Sequence, residues 1–283
     1  MGLLGCHVTG GIDNAPQNGH ALGCEAIQVF TRGPSQWKCK PLSEERITNF
    51  RSGIKAFNLQ AVMTHSIYLI NLASADRIIR RKSEAAFLEE MDRCEALGIP
   101  YLVFHPGSYR NSTERLGIRR LTNSLQRLLN KRPNQKVQIL IENTAGAGFL
   151  LGDNFEQIGL ILDQIEFPKR VHVCFDTSHA YAAGYDLQTK DDYHEVMAEF
   201  DSNIGLKRLK GFHLNDSKTE LSSRRDRHEN LGHGFIGEVV FEEIVNDARF
   251  KMHPMVLETP GGEDWFRKNL QLLFRLRKQP RTK

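Results

Sequence analysis

The sequence predicts one closed (β/α)8 barrel, on three observations. Eight short apolar runs alternate with helical patterns from one end of the chain to the other. The runs are mostly continuous, as strands buried on both faces of a parallel sheet are, whereas half-exposed strands alternate. The 283 residues suit an α/β barrel, which needs about 250. No Pro/Gly/Ser-rich linker or compositional break divides the chain, so residues 1–283 read as a single domain.

In chain order the expected strands are Leu3–Val8, Ile27–Phe30, Val62–His65, Tyr101–His105, Val137–Glu142, Val171–Phe175, Gly211–Leu214 and Met255–Glu258. An open doubly wound sheet is the rival architecture. It usually carries a Gly-rich turn after its first strand, and Gly10-Gly11 is only a fragment of one. Between strands, Ser83 to Gly98 is the clearest helix. Phe87, Leu88, Met91, Cys94 and Leu97 share a stripe, and Gly98 and Pro100 end it. Trp265, Leu272, Leu273 and Leu276 make a similar stripe near the C-terminus. The final nine residues, RLRKQPRTK (275–283), are expected to form a flexible basic tail.

Composition narrows the setting. The chain is 25% charged and 40% hydrophobic, with a net charge of +4, which permits a polyanionic partner without demanding one. The five cysteines (Cys6, Cys24, Cys39, Cys94, Cys174) are scattered and form no C-x-x-C, as expected of reduced thiols in a cytoplasmic compartment. No run approaches the roughly 18 apolar residues of a membrane span. The first residues lack a secretory pattern, and nothing demands more than a monomer.

The chemistry lies at the strand ends. His65, His105, Glu142, Asp176, His213 and Glu258 end strands three to eight, and His179 opens the helix after strand six. Asp226 and His228 stand two apart in SRRDRHENLGHGFIG (223–237), beside Lys218, Arg224, Arg225 and Arg227. In an extended segment such a pair points the same way and can grip one cation. Taken singly, each residue has a structural explanation: a strand-end His is usually a hydrogen-bonded one, and a Glu can cap the next helix. In a barrel, however, all strand C-termini open onto one face. Carboxylates meeting there without a cation would repel and neutralise one another. Imidazole plus carboxylate suits Zn(II), with Mn(II) or Fe(II) as alternatives. The set is large enough for two or three ions, and clustered ions favour displacement at phosphorus.

At these residues the chain resembles the endonuclease IV family of abasic-site endonucleases over nearly its whole length. The resemblance is carried by His65 with YLINL (68–72), FHPGS (104–108), IENTAG (141–146), DTSHA (176–180), AAGYDL (182–187), HLNDSK (213–218), DRH (226–228), LGHGFIG (231–237) and LET (257–259). It implies three zinc ions per chain, with Mn2+ as an alternative at one site. His65, His105 and Glu142 would hold the first ion. Glu142, as a bridge, would hold the second with Asp176, His213 and Glu258, and His179, Asp226 and His228 would hold the third. It further implies that a metal-bridged hydroxide hydrolyses the phosphodiester 5′ to an abasic site in duplex DNA, leaving a 3′-hydroxyl and a 5′ deoxyribose phosphate. Glu142 and Glu258 would be the catalytic carboxylates. Tyr68 would insert into the base stack, and Lys218, Arg224, Arg225 and Arg227 would lie against phosphates, with Lys38 among the basic residues around the mouth. The glycines of 232–237 would let backbone approach the ligand.

The chain departs from the family pattern in three places. Ser35, in Pro34-Ser35-Gln36-Trp37, stands where an Arg is usual. That Arg would fill the gap left in the stack, and Ser is too short to do so. The turn in 6–15 is shorter than usual, and His233 replaces another polar residue. Two other readings stay open on residues alone. A single-metal sugar isomerase or epimerase would need only Glu142, Asp176, His213 and Glu258. A non-catalytic DNA-binding relative would need no cation at all.

Overall fold

The structure is a computed structural model, and it describes residues 1–278. The strands are β1 (Leu3–His7), β2 (Ala26–Val29), β3 (Ala61–His65), β4 (Tyr101–Phe104), β5 (Gln138–Glu142), β6 (Val171–Asp176), β7 (Leu209–His213), β8 (Asp216–Ser217), β9 (His228–Glu229) and β10 (Pro254–Leu257). Eight of them close a parallel barrel in the order β1-β10-β7-β6-β5-β4-β3-β2, while β8 and β9 form a separate two-stranded ribbon. The closed order settles the choice against an open sheet. Each barrel strand lies within two residues of its expected bounds. Nothing in the sequence announces the ribbon, because two polar residues per strand leave no periodic signal.

Two packed layers hold the barrel. The outer layer lies between strands and helices and includes Leu4, Ile27, Phe87, Phe104, Phe175 and Phe212. The inner layer is Leu3, Ala26, Met63, Val103, Leu140, Cys174 and Val256. Strand side chains alternate between faces, so on every strand here but β1 the residue two positions beyond the inner one also faces the axis, at the rim. Met63 is followed by His65, Val103 by His105, Leu140 by Glu142, Cys174 by Asp176 and Val256 by Glu258. Gly211 precedes His213 in the same way. A Cβ on Gly211 would lie 2.8 Å from Met63 Sδ, so the glycine leaves space for that side chain.

Two helices correct the sequence reading. The helix expected from Ser83 spans Arg77–Leu97, with Asp76 accepting from the amides of Ile78 and Ile79. Its first turn is hidden from periodicity because Ile78 and Ile79 face solvent. The last helix, Gly262–Leu276, buries Phe266, Asn269, Leu270, Leu272 and Leu273. Trp265 is only partly buried and packs edge-on against His233. The expected flexible tail is anchored at its start. Arg275 and Leu276 belong to that helix, and Arg277 bonds Glu25 at 2.8 Å. Lys278 donates its amide to Asn246 at 2.7 Å. Residues 279–283 lie outside the described residues. No described helix is long and apolar enough to cross a membrane. All five cysteines are free thiols, and four are buried.

Candidate metal centre

The strand ends deliver their side chains to one cavity of about 470 Å3. His7, Thr9, Phe30, His65, Tyr68, His105, His179, Asp226, Arg227, His228, Glu258 and Phe266 line it. Ligand-capable atoms gather there in three sets, each within 4.8 Å: His65, His105 and Glu142; Glu142, Asp176, His213 and Glu258; and Asp176, His179 and His228. Asp176 belongs to two sets, and so does Glu142. Its Oε2 lies 3.0 Å from His65 Nε2 and 3.2 Å from His105 Nε2, and its Oε1 lies 2.8 Å from His213 Nδ1. Asp226 reaches the third set from the loop, with Oδ1 3.2 Å from His179 Nε2 and 3.5 Å from His228 Nε2.

The surrounding hydrogen bonds aim the imidazoles. His65 Nδ1 is 2.8 Å from Ser66 O, His179 Nδ1 is 2.9 Å from Asn143 O, and His228 Nδ1 is 3.3 Å from Glu258 O. A carbonyl only accepts, so in the neutral ring each Nδ1 carries the proton and each Nε2 presents a lone pair to the cluster. His179 Nε2 and His228 Nε2 are buried without an aligned hydrogen-bond partner. Buried polar atoms are rarely left so, and a cation among them would satisfy both. The residues present therefore fit a set of bound divalent ions. Asn143 and Asn215 brace the carboxylates. Asn143 accepts from the Asp176 amide at 2.8 Å, and Asn215 donates to Asp176 Oδ2 at 2.7 Å. Asp176 Oδ1 also accepts from the His179 amide at 2.8 Å, beginning the helix that carries His179.

Opposite charges within the cluster shift one another's protonation. Burial alone would raise the Glu142 carboxyl, yet the His213 and His105 charges hold it well below the usual carboxylate range. Burial would lower His213 and His179, but neighbouring negative groups push both well above the ordinary imidazole value. For Asp226, burial again opposes the shift, and His179 and His228 hold the carboxyl far down. Protons and divalent cations would compete for the same lone pairs here, so a bound cation would displace protons.

The ribbon explains how residues 223–237 reach this cluster. Asp216 pairs with Glu229 and Ser217 with His228, so β8 and β9 carry His228 to the mouth. Buried Asp216 accepts from the amides of Gly232 at 2.9 Å, Gly234 at 3.0 Å and Ile236 at 2.9 Å. A Cβ on Gly234 would lie 2.3 Å from Ser217 O, so this glycine lets its backbone approach the ribbon.

The basic residues divide. Lys218, Arg224, Arg225 and Arg227 line a groove with Ala147, Thr219 and Asp226 beside the metal cavity. Arg224 is also tied to Asp153 Oδ2 at 2.5 Å, and Arg227 bonds Asp226 O at 2.7 Å. Lys38 lies elsewhere, in a hollow with Trp37, Lys82 and Glu89. Tyr68 is 66% exposed at the rim, and its amide bonds Pro34 O at 3.0 Å, joining two loops. Ser35 is exposed on the first of these loops.

Two rim residues escaped the sequence reading: His7 and Gln28. The alternation that places His65 above Met63 also places His7 above Gly5 and Gln28 above Ala26. Counting in twos along the first two strands would have found both.

Known proteins share this architecture. A family model described as a xylose isomerase-like TIM barrel matches residues 16–276. A probable endonuclease 4 of Geobacter sulfurreducens is 46% identical, over 99% of this chain and 96% of its own length. Another, from Chloroflexus aurantiacus, is 42% identical, over 96% of this chain and 97% of its own. Among solved structures, endonuclease IV from Thermus thermophilus has a TM-score of 0.85 at 32% identity and 97% coverage of both chains. A D-tagatose 3-epimerase-like protein has a TM-score of 0.69 at 17% identity over 89% of this chain and 88% of that one. The latter is a likeness of fold alone.

Proposed function

Because this chain belongs to the endonuclease IV family of xylose isomerase-like TIM barrels, we propose that it is a DNA-repair hydrolase that cuts the phosphodiester 5′ to abasic sites in duplex DNA. The observation that carries this reading is the convergence of nine His, Asp and Glu side chains on one rim, in a chain whose near-full-length relatives are named as endonucleases. His65, His105 and Glu142 would hold one ion. Glu142, Asp176, His213 and Glu258 would hold a second, and His179, Asp226 and His228 a third; zinc is the metal this donor set favours. Such ions make a nucleophile from water at neutral pH and offset charge on phosphoryl oxygens.

The chain's own side chains do the rest. Glu142, touching His65, His105 and His213, keeps neighbouring sites in fixed relation. Tyr68, exposed beside His65, would enter the base stack. An unpaired, base-free nucleotide costs least to extrude, which selects the lesion. Lys218 and Arg225 would contact phosphates. The sugar-epimerase reading needs only the Glu142, Asp176, His213 and Glu258 quartet. It leaves His65, His105 and the His179, Asp226 and His228 trio without a purpose.

The test is incision of a duplex carrying one synthetic abasic site by the metal-loaded chain. The expected product is a single nick on the 5′ side with a 3′-hydroxyl. Intact duplex together with ketose epimerisation would overturn the reading.

Binding should also weaken with salt, since each phosphate contact releases counterions with a logarithmic slope of about −0.9. Arg225→Ala and Lys218→Ala are each expected to reduce the slope by about 1, and Arg224→Ala by less, because Asp153 already neutralises it. Fluorescence anisotropy on an abasic duplex with a phosphorothioate at the scissile linkage checks this. Salt-independent affinity would rule the groove out as a phosphate track.

A further inference from the structure

Gln28 is fully buried on β2, and its carboxamide touches three rim residues. Nε2 donates to Glu258 Oε1 at 2.6 Å and lies 3.1 Å from His7 Nδ1. Oε1 lies 2.8 Å from His213 Nε2. Chemistry fixes which way round the amide sits. An ionised carboxylate only accepts, so the NH2 group must face Glu258. The reverse orientation would press two acceptors together at 2.6 Å.

The carbonyl end then faces His213. A carbonyl cannot donate, so His213 carries a proton on Nε2. A neutral ring so protonated has its lone pair on Nδ1. That atom lies 2.8 Å from Glu142 Oε1 and 3.3 Å from Glu258 Oε2, on the side where the second ion is expected. The other four histidines of the cluster each present Nε2 to a carboxylate, and of these only His179 also has Nδ1 near one, 3.3 Å from Glu142 Oε1. Gln28 also occupies Glu258 Oε1, leaving Oε2 to face the same point. Its second amide hydrogen meets His7 Nδ1, so both donors and the acceptor are used.

Resting on the metal-centre reading above, we propose that Gln28 is a positioning residue for the second cation site. It selects the His213 tautomer that offers Nδ1, and it sets which Glu258 oxygen turns toward the ion. Partners of this kind, bonded to a ligand's far side, typically control metal affinity by about 10–100-fold.

The experiment is a zinc titration of the metal-free, full-length protein in competition with a chromophoric chelator. It compares the wild type with Gln28→Met and Gln28→Ala. Methionine nearly conserves volume and removes the hydrogen bonds, whereas alanine removes both volume and hydrogen bonds. The expected result is that one zinc equivalent weakens by about 10–100-fold in both variants while the remaining equivalents keep wild-type affinity. The visible spectrum of the cobalt(II)-loaded protein should change as well, because the ligand field at one ion changes. If Gln28 served packing alone, the methionine variant would bind every ion as the wild type does; that result overturns the proposal. Should Gln28→Ala fail to fold, Gln28→Met decides. A wild type that takes up no zinc sinks the metal-centre reading, and this proposal with it.

Discussion

Glu142→Gln is expected to abolish incision and to lower the zinc content of the protein by more than one ion. The carboxylate is fully buried and sits 2.8–3.2 Å from His65, His105 and His213. It belongs to two of the candidate ligand sets, as Asp176 does, but it has three imidazole nitrogens within this short range and neither Asp176 nor Glu258 has as many. The substitution conserves shape and removes one negative charge. The amide nitrogen can only donate, so one of its two faces points hydrogens where a lone pair is needed. Loss of an outer-shell partner already costs about 10–100-fold, so loss of a bridge should exceed a hundredfold in kcat. The measurement is single-turnover incision paired with elemental analysis of the same preparation. A variant with full zinc content and wild-type turnover would remove Glu142 from the bridging role.

Stripping the cations should have the second large effect. Dialysis against a strong chelator is expected to eliminate incision, and readdition of zinc should restore it. Stability should fall with activity, because a ligand that binds only the folded chain stabilises it by mass action. One ion held at a thousand times its Kd contributes about 4 kcal/mol, which for a chain of this size corresponds to a drop in Tm on the order of 10 °C. The physical source of that loss is on the rim, where Glu142, Asp176 and Glu258 stand close together and are buried or nearly so. Scanning calorimetry before and after chelation reads the shift. Undiminished incision by protein shown to be metal-free would end the hydrolytic mechanism proposed here.

The sequence disclosed the barrel because buried parallel strands write themselves as short apolar runs, and each such run here became a strand. It disclosed most of the rim because His, Asp and Glu at the end of an apolar run are conspicuous. His7 and Gln28 were not, for different reasons. His7 precedes Val8, so the first run seemed to continue past it. Gln28 sits inside its run and carries no charge, and only the register of the neighbouring strands shows that it faces the axis. Asp216 was equally illegible. Its role depends on three amides sixteen to twenty residues ahead, a closure that no local pattern encodes. Arg224 looked like its basic neighbours until the fold brought Asp153 against it.

The inner layer bears on how this centre could be altered. Each rim ligand on the barrel wall stands one pleat above an apolar side chain or a glycine, so the spacing of the reactive groups is inherited from the girth of the stopper beneath them. Widening that stopper at Cys174 or Val256 would splay Asp176 or Glu258 outward without touching either. Re-engineering the chemistry of such a chain therefore begins a storey below the atoms that perform it.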